Sequence, residues 1–158
     1  MLLYLARHGE AVAEDVDPGR PLSARGREEV MKVASFLKSH WCEMDHVWHS
    51  TKGRARETAA LIAEALKFKG SFVEKTGLAP DDPIQDAREG IRDLFRSECE
   101  ACLLIAGHAP FLPRLASWLL TGEEKTAEIS LPTGGVLCLE SADGEKWQLN
   151  WLLKPEDI

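Results

Sequence analysis

The chain has 158 residues, 44% of them hydrophobic and 28% charged, with no low-complexity tract, which suits one globular domain spanning residues 1–158. A net charge of −7 argues against nonspecific attachment to nucleic acid or to an anionic membrane, so any bound anion must be held by a local cluster of cations. No segment approaches the roughly 20 apolar residues of a membrane span. No basic and apolar leader precedes Arg7, and four cysteines are too few for a secreted disulfide scaffold, so the expected compartment is the cytoplasm.

The apolar run Leu2–Ala6 stops at Arg7-His8-Gly9-Glu10, as a buried strand does where it leaves a sheet. Arginine offers a planar fork of donors suited to phosphate oxygens. Histidine can be nucleophile, base or metal ligand, and glycine lets the backbone turn and another group approach. Residues 11–20 are polar and form a loop. Ser23 is the expected N-cap of a helix whose core stripe is Val30, Val33, Ala34 and Leu37. A second strand covers 45–49 and ends at Ser50. The turn Ser50–Gly53 leads to a second helix with the stripe Ala55, Thr58, Ala59, Ile62, Ala63 and Leu66.

A brief third strand over 71–74 precedes a loop, 76–86, with two prolines and the pair Asp81-Asp82. A charged helix over 86–98 buries Ile91, Leu94 and Phe95. Residues 101–106 are apolar on both faces, as in a central parallel strand, and end in Gly107-His108-Ala109-Pro110. A helix over 111–120 stops near Gly122. Strands over 136–140 and 147–153 flank the turn Ala142-Asp143-Gly144. Strands alternating with helices, followed by a hairpin, predict an α/β fold: a three-layer sandwich with a mainly parallel sheet and an antiparallel edge.

Ligands of such sheets bind beyond the carboxyl ends of the strands. Those ends would bring together Arg7 and His8, Ser50 with Arg54 one turn later, and His108. Arg54 carries a second clue. A helix N-terminus disfavours cations by roughly 0.3–1 kcal/mol, yet this helix opens with Lys52, Arg54 and Arg56, balanced only by Glu57. An anion bound at that terminus makes such a start tolerable. His46 and His49 point to opposite faces of their strand, and His40 lies past a helix stripe, so structural or solvated roles are expected for all three. Cys99-x-x-Cys102 precedes a strand rather than opening a helix, and no second pair completes a zinc site.

The ordered set Arg7-His8-Gly9-Glu10, Ser50-x-x-x-Arg54-Ala55-x-x-Thr58-Ala59 and Gly107-His108-Ala109-Pro110 closely resembles the histidine phosphatase superfamily. Arg20-Pro21-Leu22-Ser23-x-x-Gly26, with the compact length, is similar to the SixA-type phosphohistidine phosphatase branch. The resemblance implies a phosphoglycerate-mutase-like fold and a phosphohistidine intermediate on His8. Arg7, Arg54 and His108 would complete the phosphate pocket, with Gly9, Arg20 and Ser50 as further phosphate or substrate contacts. No metal and no cofactor is implied.

The implied reaction removes phosphate from a phosphohistidine-bearing protein, such as a histidine phosphotransfer domain, in signal transduction. Two alternatives stand beside it: a phosphatase for a small phosphate ester, and a phosphate-binding module without turnover. Retention of both His8 and His108 argues against the module. The sequence departs from the family at Thr51, where many members have proline. It also lacks room between the third strand and the next helix for the helical insert that carries an acidic proton donor in mutases and acid phosphatases. Asp81 and Asp82 are the only nearby acids, and turn or capping chemistry is the alternative use for them.

Overall fold

The computed structural model describes residues 1–158. Strand β1 (Leu2–Arg7) leads through a loop to helix α1 (Ala24–Ser39), then β2 (His46–Ser50), α2 (Gly53–Ala65) and β3 (Ser71–Lys75). There follow α3 (Gln85–Ser97), β4 (Cys102–Gly107), α4 (Phe111–Thr121), β5 (Val136–Ser141) and β6 (Trp147–Leu153), with a short 3-10 turn at Pro155–Asp157. Most bounds lie within one or two residues of those expected from periodicity, and the terminal 3-10 turn has no counterpart in that reading. No helix is long and apolar enough to cross a membrane.

The six strands form one sheet in the order β3-β2-β4-β1-β5-β6. The first four are parallel, and β5 joins β1 antiparallel before the hairpin closes on β6. Strands β1 and β4 lie at the centre and are buried on both faces, which is why each reads as an unbroken apolar run. Alternation along β1 sends Leu3 and Leu5 into the core beneath α3 and α4, and Tyr4 and Ala6 into the core beneath α1 and α2. The result is the expected three-layer α/β sandwich with a mixed, mainly parallel sheet. The edge strand β3 leaves Phe72 exposed.

Local chemistry sets the ends of the elements. The Ser23 hydroxyl accepts from the Gly26 N–H at 3.0 Å and caps α1 as anticipated. Gly122 ends α4 in the left-handed conformation, at φ 80°. Asp82 takes the turn half of its alternative use and not the capping half: its carboxylate accepts from Ala79 N–H at 2.8 Å and closes a turn, while α3 starts at Ile84 without a side-chain cap.

Residues 13–20 form an excursion closed at a narrow neck. Ala11 and Leu22 make an antiparallel bridge. Val12 N–H donates to the Pro21 carbonyl at 2.8 Å, and Ser23 N–H to that of Glu10 at 2.9 Å. Below the neck, a Cβ on Gly26 would stand 2.1 Å from the Glu10 carbonyl oxygen, so only glycine allows α1 to dock against the backbone that follows β1.

Candidate active site

Sheet register places the two histidines side by side. Arg7 pairs with Gly107 across β1 and β4, so the next residues, His8 and His108, leave the sheet together. The His8 N–H still donates to the Gly107 carbonyl at 2.9 Å, and the two imidazole rings lie 5.1 Å apart, inclined by 57°. Strand β2 ends at the same level, because His49 pairs with Ala106. Arg7, His8, Arg20, Arg54 and His108 line one cleft of about 320 Å³, with Glu10, Ala11, Pro80, Ala109 and Thr133 completing its walls.

The proton on His8 is fixed by its neighbours. Nδ1 lies 2.7 Å from the Gly9 carbonyl oxygen, which can only accept, so Nδ1 carries the hydrogen. Nε2 therefore keeps its lone pair, and it accepts from Arg54 Nε at 3.3 Å. Burial, then the charges of Arg54, Arg7 and Arg20, push the His8 pKa down to about 4 against the upward pull of the Gly9 carbonyl. The ring is neutral at physiological pH.

His108 is arranged the other way round. Its Nε2 is 2.8 Å from the Ser50 hydroxyl, which also accepts from Lys52 N–H at 3.2 Å. With one proton and a second lone pair still free, the serine hydroxyl can donate to Nε2 or accept from it, so this contact suits either tautomer of His108. Nδ1 is buried and has no partner in the protein. Burial, with His8, Arg54, Lys52 and Arg7 close by, pushes the His108 pKa down to about 3. The protonated His108 that the phosphate pocket calls for is therefore not the state of the free protein; it requires an anion in the cleft to raise the pKa.

The arginines are held along their length. Arg7 Nη1 donates to the Leu131 carbonyl at 2.9 Å, whereas its Nε is buried without a partner. Arg20 takes a left-handed backbone, φ 47°, unusual for a side-chain-bearing residue, and its Nε donates to the Val12 carbonyl at 3.2 Å. Arg54 sits in the first turn of α2, a helix start with no acidic residue and no side-chain cap. Glu57, the residue set against these cations in the sequence, is drawn off by Arg27 at 2.6 Å and by Leu22 N–H at 3.2 Å. Burial lowers the pKa of Arg7 and Arg54 below the ordinary guanidinium value.

Two of the sequence-derived contacts sit behind the cleft. Ser50 is fully buried, meets His108 Nε2 and is not among the residues that line the cleft. Gly9 gives its carbonyl to His8 and its N–H to Thr58 Oγ1 at 3.1 Å; a Cβ there would meet Gly26 O and Val30 Cγ2 at 2.8 Å. Asp81 is exposed, the Asp82 carboxylate is spent on Ala79, and neither lines the cleft. Glu10 is the carboxylate that does, held by the Ser23 hydroxyl at 2.8 Å. Sequence reasoning missed Thr133 and the segment before β5. That segment packs on the β1 end, where Gly134 N–H donates to the Arg7 and His8 carbonyls at 3.2 and 3.0 Å. The turn signal at Pro132–Gly135 was readable, but its antiparallel neighbour was not.

The histidines outside the cleft have structural partners. His46 meets Glu98 at 2.8 Å, His49 bonds the Ser50 carbonyl at 2.9 Å, and His40 stacks on Phe36. All four cysteines are free thiols.

The model of the histidine phosphatase superfamily (branch 1) matches residues 3–79. An uncharacterized protein of Picosynechococcus sp. is 30% identical, over 97% of this chain and 99% of its own. The chain belongs to the histidine phosphatase superfamily. This histidine phosphatase is also 26% identical to the phosphohistidine phosphatase SixA of Escherichia coli, over 98% of the chain and 94% of that protein. Its fold matches the solved structure of the protein histidine phosphatase SixA complexed with tungstate, with a TM-score of 0.89, 23% identity and 99% of each chain covered.

Proposed function

We propose that this histidine phosphatase hydrolyses phosphohistidine on a partner protein, such as a histidine phosphotransfer domain, in the cytoplasm and without a metal. The observation that carries the reading is the fixed tautomer of His8, whose Nε2 lone pair faces a cleft lined by three arginines. In the first step Nε2 attacks phosphorus, the P–N bond of the substrate breaks, and its imidazole, already protonated on the other ring nitrogen, leaves as the neutral ring. Water then attacks the phosphoryl group on His8, the second P–N bond breaks, and phosphate departs. Arg7, Arg54 and His108 stabilise the equatorial oxygens, since phosphoryl transfer depends chiefly on positioning and electrostatics. Arg20 serves as a further contact. An oxyanion in the cleft also supplies an acceptor for Arg7 Nε, a buried donor without a partner in the protein.

The leaving group decides substrate class. An alkyl ester must expel a basic alkoxide, and a positioned general acid typically speeds such cleavage 10²–10⁴-fold. Pro80, rather than Asp81 or Asp82, faces the cleft, and Glu10 is already engaged by Ser23 and lies 3.9 Å from Arg25. An imidazole is a far better leaving group and needs no dedicated acid. The test compares kcat/KM for a phosphohistidine protein, an aryl phosphate and a sugar phosphate, without added metal. The order expected is phosphohistidine, aryl phosphate, sugar phosphate. A sugar phosphate as best substrate overturns the reading.

A further inference from the structure

Four hydrogen bonds around His8 form a closed ring. His8 Nδ1–H donates to the Gly9 carbonyl at 2.7 Å, and Gly9 N–H donates to Thr58 Oγ1 at 3.1 Å. The Thr58 hydroxyl donates to the Arg54 carbonyl at 2.8 Å, and Arg54 Nε–H returns to His8 Nε2 at 3.3 Å. We propose that Thr58 is a positioning residue that fixes the His8 tautomer and the placement of Arg54 together, through the one hydroxyl that joins β1 to α2.

The hydroxyl is well suited to this because it has one proton and two lone pairs. Its proton goes to the carbonyl one turn back in α2, which turns a lone pair toward Gly9. Held from its N–H side, Gly9 keeps its carbonyl in line with His8 Nδ1. Thr58 is 1% exposed, so no water replaces the hydroxyl if it is removed, and the Gly9 amide is left buried without an acceptor. A peptide released in this way can turn its carbonyl from Nδ1, and only the long 3.3 Å bond from Arg54 Nε then opposes the Nε2–H tautomer, which has no lone pair on the nitrogen facing the cleft. The same substitution frees the Arg54 backbone from its tie to β1. Periodicity assigns Thr58 to the core-facing stripe of α2, and it does lie there; the bonds of its hydroxyl distinguish it from Ala55, Ala59 and Ile62 beside it.

The inference rests on His8 acting as the nucleophile, so the test separates tautomer from turnover. Histidine-labelled wild type, Thr58→Val and Thr58→Ser are compared by two-bond ¹H–¹⁵N correlation in phosphate-free buffer at pH 7, alongside kcat on a phosphohistidine protein. Expected results are an Nδ1–H His8 in wild type, a mixed or Nε2–H signal in Thr58→Val with kcat lower by about 10²-fold, and recovery to within a few-fold in Thr58→Ser. A merely packing role predicts the reverse, since valine keeps the methyl group and the branched shape of threonine and serine loses the methyl. An unchanged tautomer and rate in Thr58→Val, or a Thr58→Ser as impaired as Thr58→Val, overturns the proposal. So does an Nε2–H signal in wild type, which needs no variant to fold. If Thr58→Val does not fold, Thr58→Cys replaces it, because a thiol is only a weak acceptor. A tautomer change in the variant with no phosphohistidine turnover in wild type refutes the assigned activity and leaves the ring standing.

Discussion

Acid should weaken this fold through the pair of histidines in its cleft, and replacing one of them should remove a defined part of that sensitivity. His8 and His108 have pKa values of about 4 and about 3 in the folded protein, against 6.5 for an unperturbed imidazole. Both shifts are downward, so between pH 6.5 and 4 the unfolded chain binds more protons than the folded one. Stability is complete above about pH 6.5 and is lost as pH falls toward the folded values. At pH 5 each histidine is almost fully charged in the unfolded chain and almost uncharged in the folded one, which costs ~2 kcal/mol apiece, or ~4 kcal/mol for the pair. The perturbation is His108→Gln, which removes one titrating group while keeping a polar side chain in reach of Ser50. Urea unfolding at pH 7 and pH 5 measures the loss in each protein. The wild type should lose more than the variant by ~2 kcal/mol over that interval. Equal losses would refute the claim that a buried, neutral imidazole stands at position 108.

Three further outcomes follow from the cleft. His8→Ala should keep its far-UV circular dichroism and much of its affinity for inorganic phosphate, but lose turnover and form no acid-labile phosphoprotein. Arg54→Ala should lower kcat by about 10²–10³-fold, as removal of one transition-state donor does, and Arg54→Lys should recover little of it because an ammonium lacks the bidentate fork. In phosphate-free buffer Arg54→Ala should be neutral to slightly stabilising by thermal melting, since Arg20 stands against it at an uncapped helix start. Asp82→Ala should cost about 1 kcal/mol of stability by releasing the Ala79 amide, with phosphohistidine hydrolysis unchanged; Asp81→Asn should alter neither quantity.

The elements that bury apolar residues on a regular period were legible in the sequence, including α1 with its Ser23 cap, the twice-buried β1 and β4, and the hairpin of β5 and β6. So was the meeting of Arg7, His8, Arg54 and His108, because parallel strands end on one edge. Contacts between hydroxyl and ring were not legible. Ser50 sits at the right strand end to touch a ligand, yet its side chain points behind His108, and only the register of β2 on β4 settles that. Protonation was hidden for a related reason. A histidine among arginines suggests a charged ring, whereas burial and those same arginines hold both imidazoles neutral in the free protein. Pro132–Gly135 reads as a turn, but its place against the end of β1 was not legible because β5 pairs with β1, a partner distant in the chain.

The neck that closes at Ala11 and Leu22 separates two jobs that many enzymes perform with one loop. Below it, Gly26 locks the helix to the backbone of Glu10, so the reacting histidine is anchored without any help from residues 13–19. Above it, the excursion is free to differ in length and composition, since doubling a flexible loop adds only about 0.6 kcal/mol of closure entropy. Arg20 alone returns from it to the cleft. A different segment can thus be grafted onto this scaffold at 13–19 with the cleft and its histidine pair left in place.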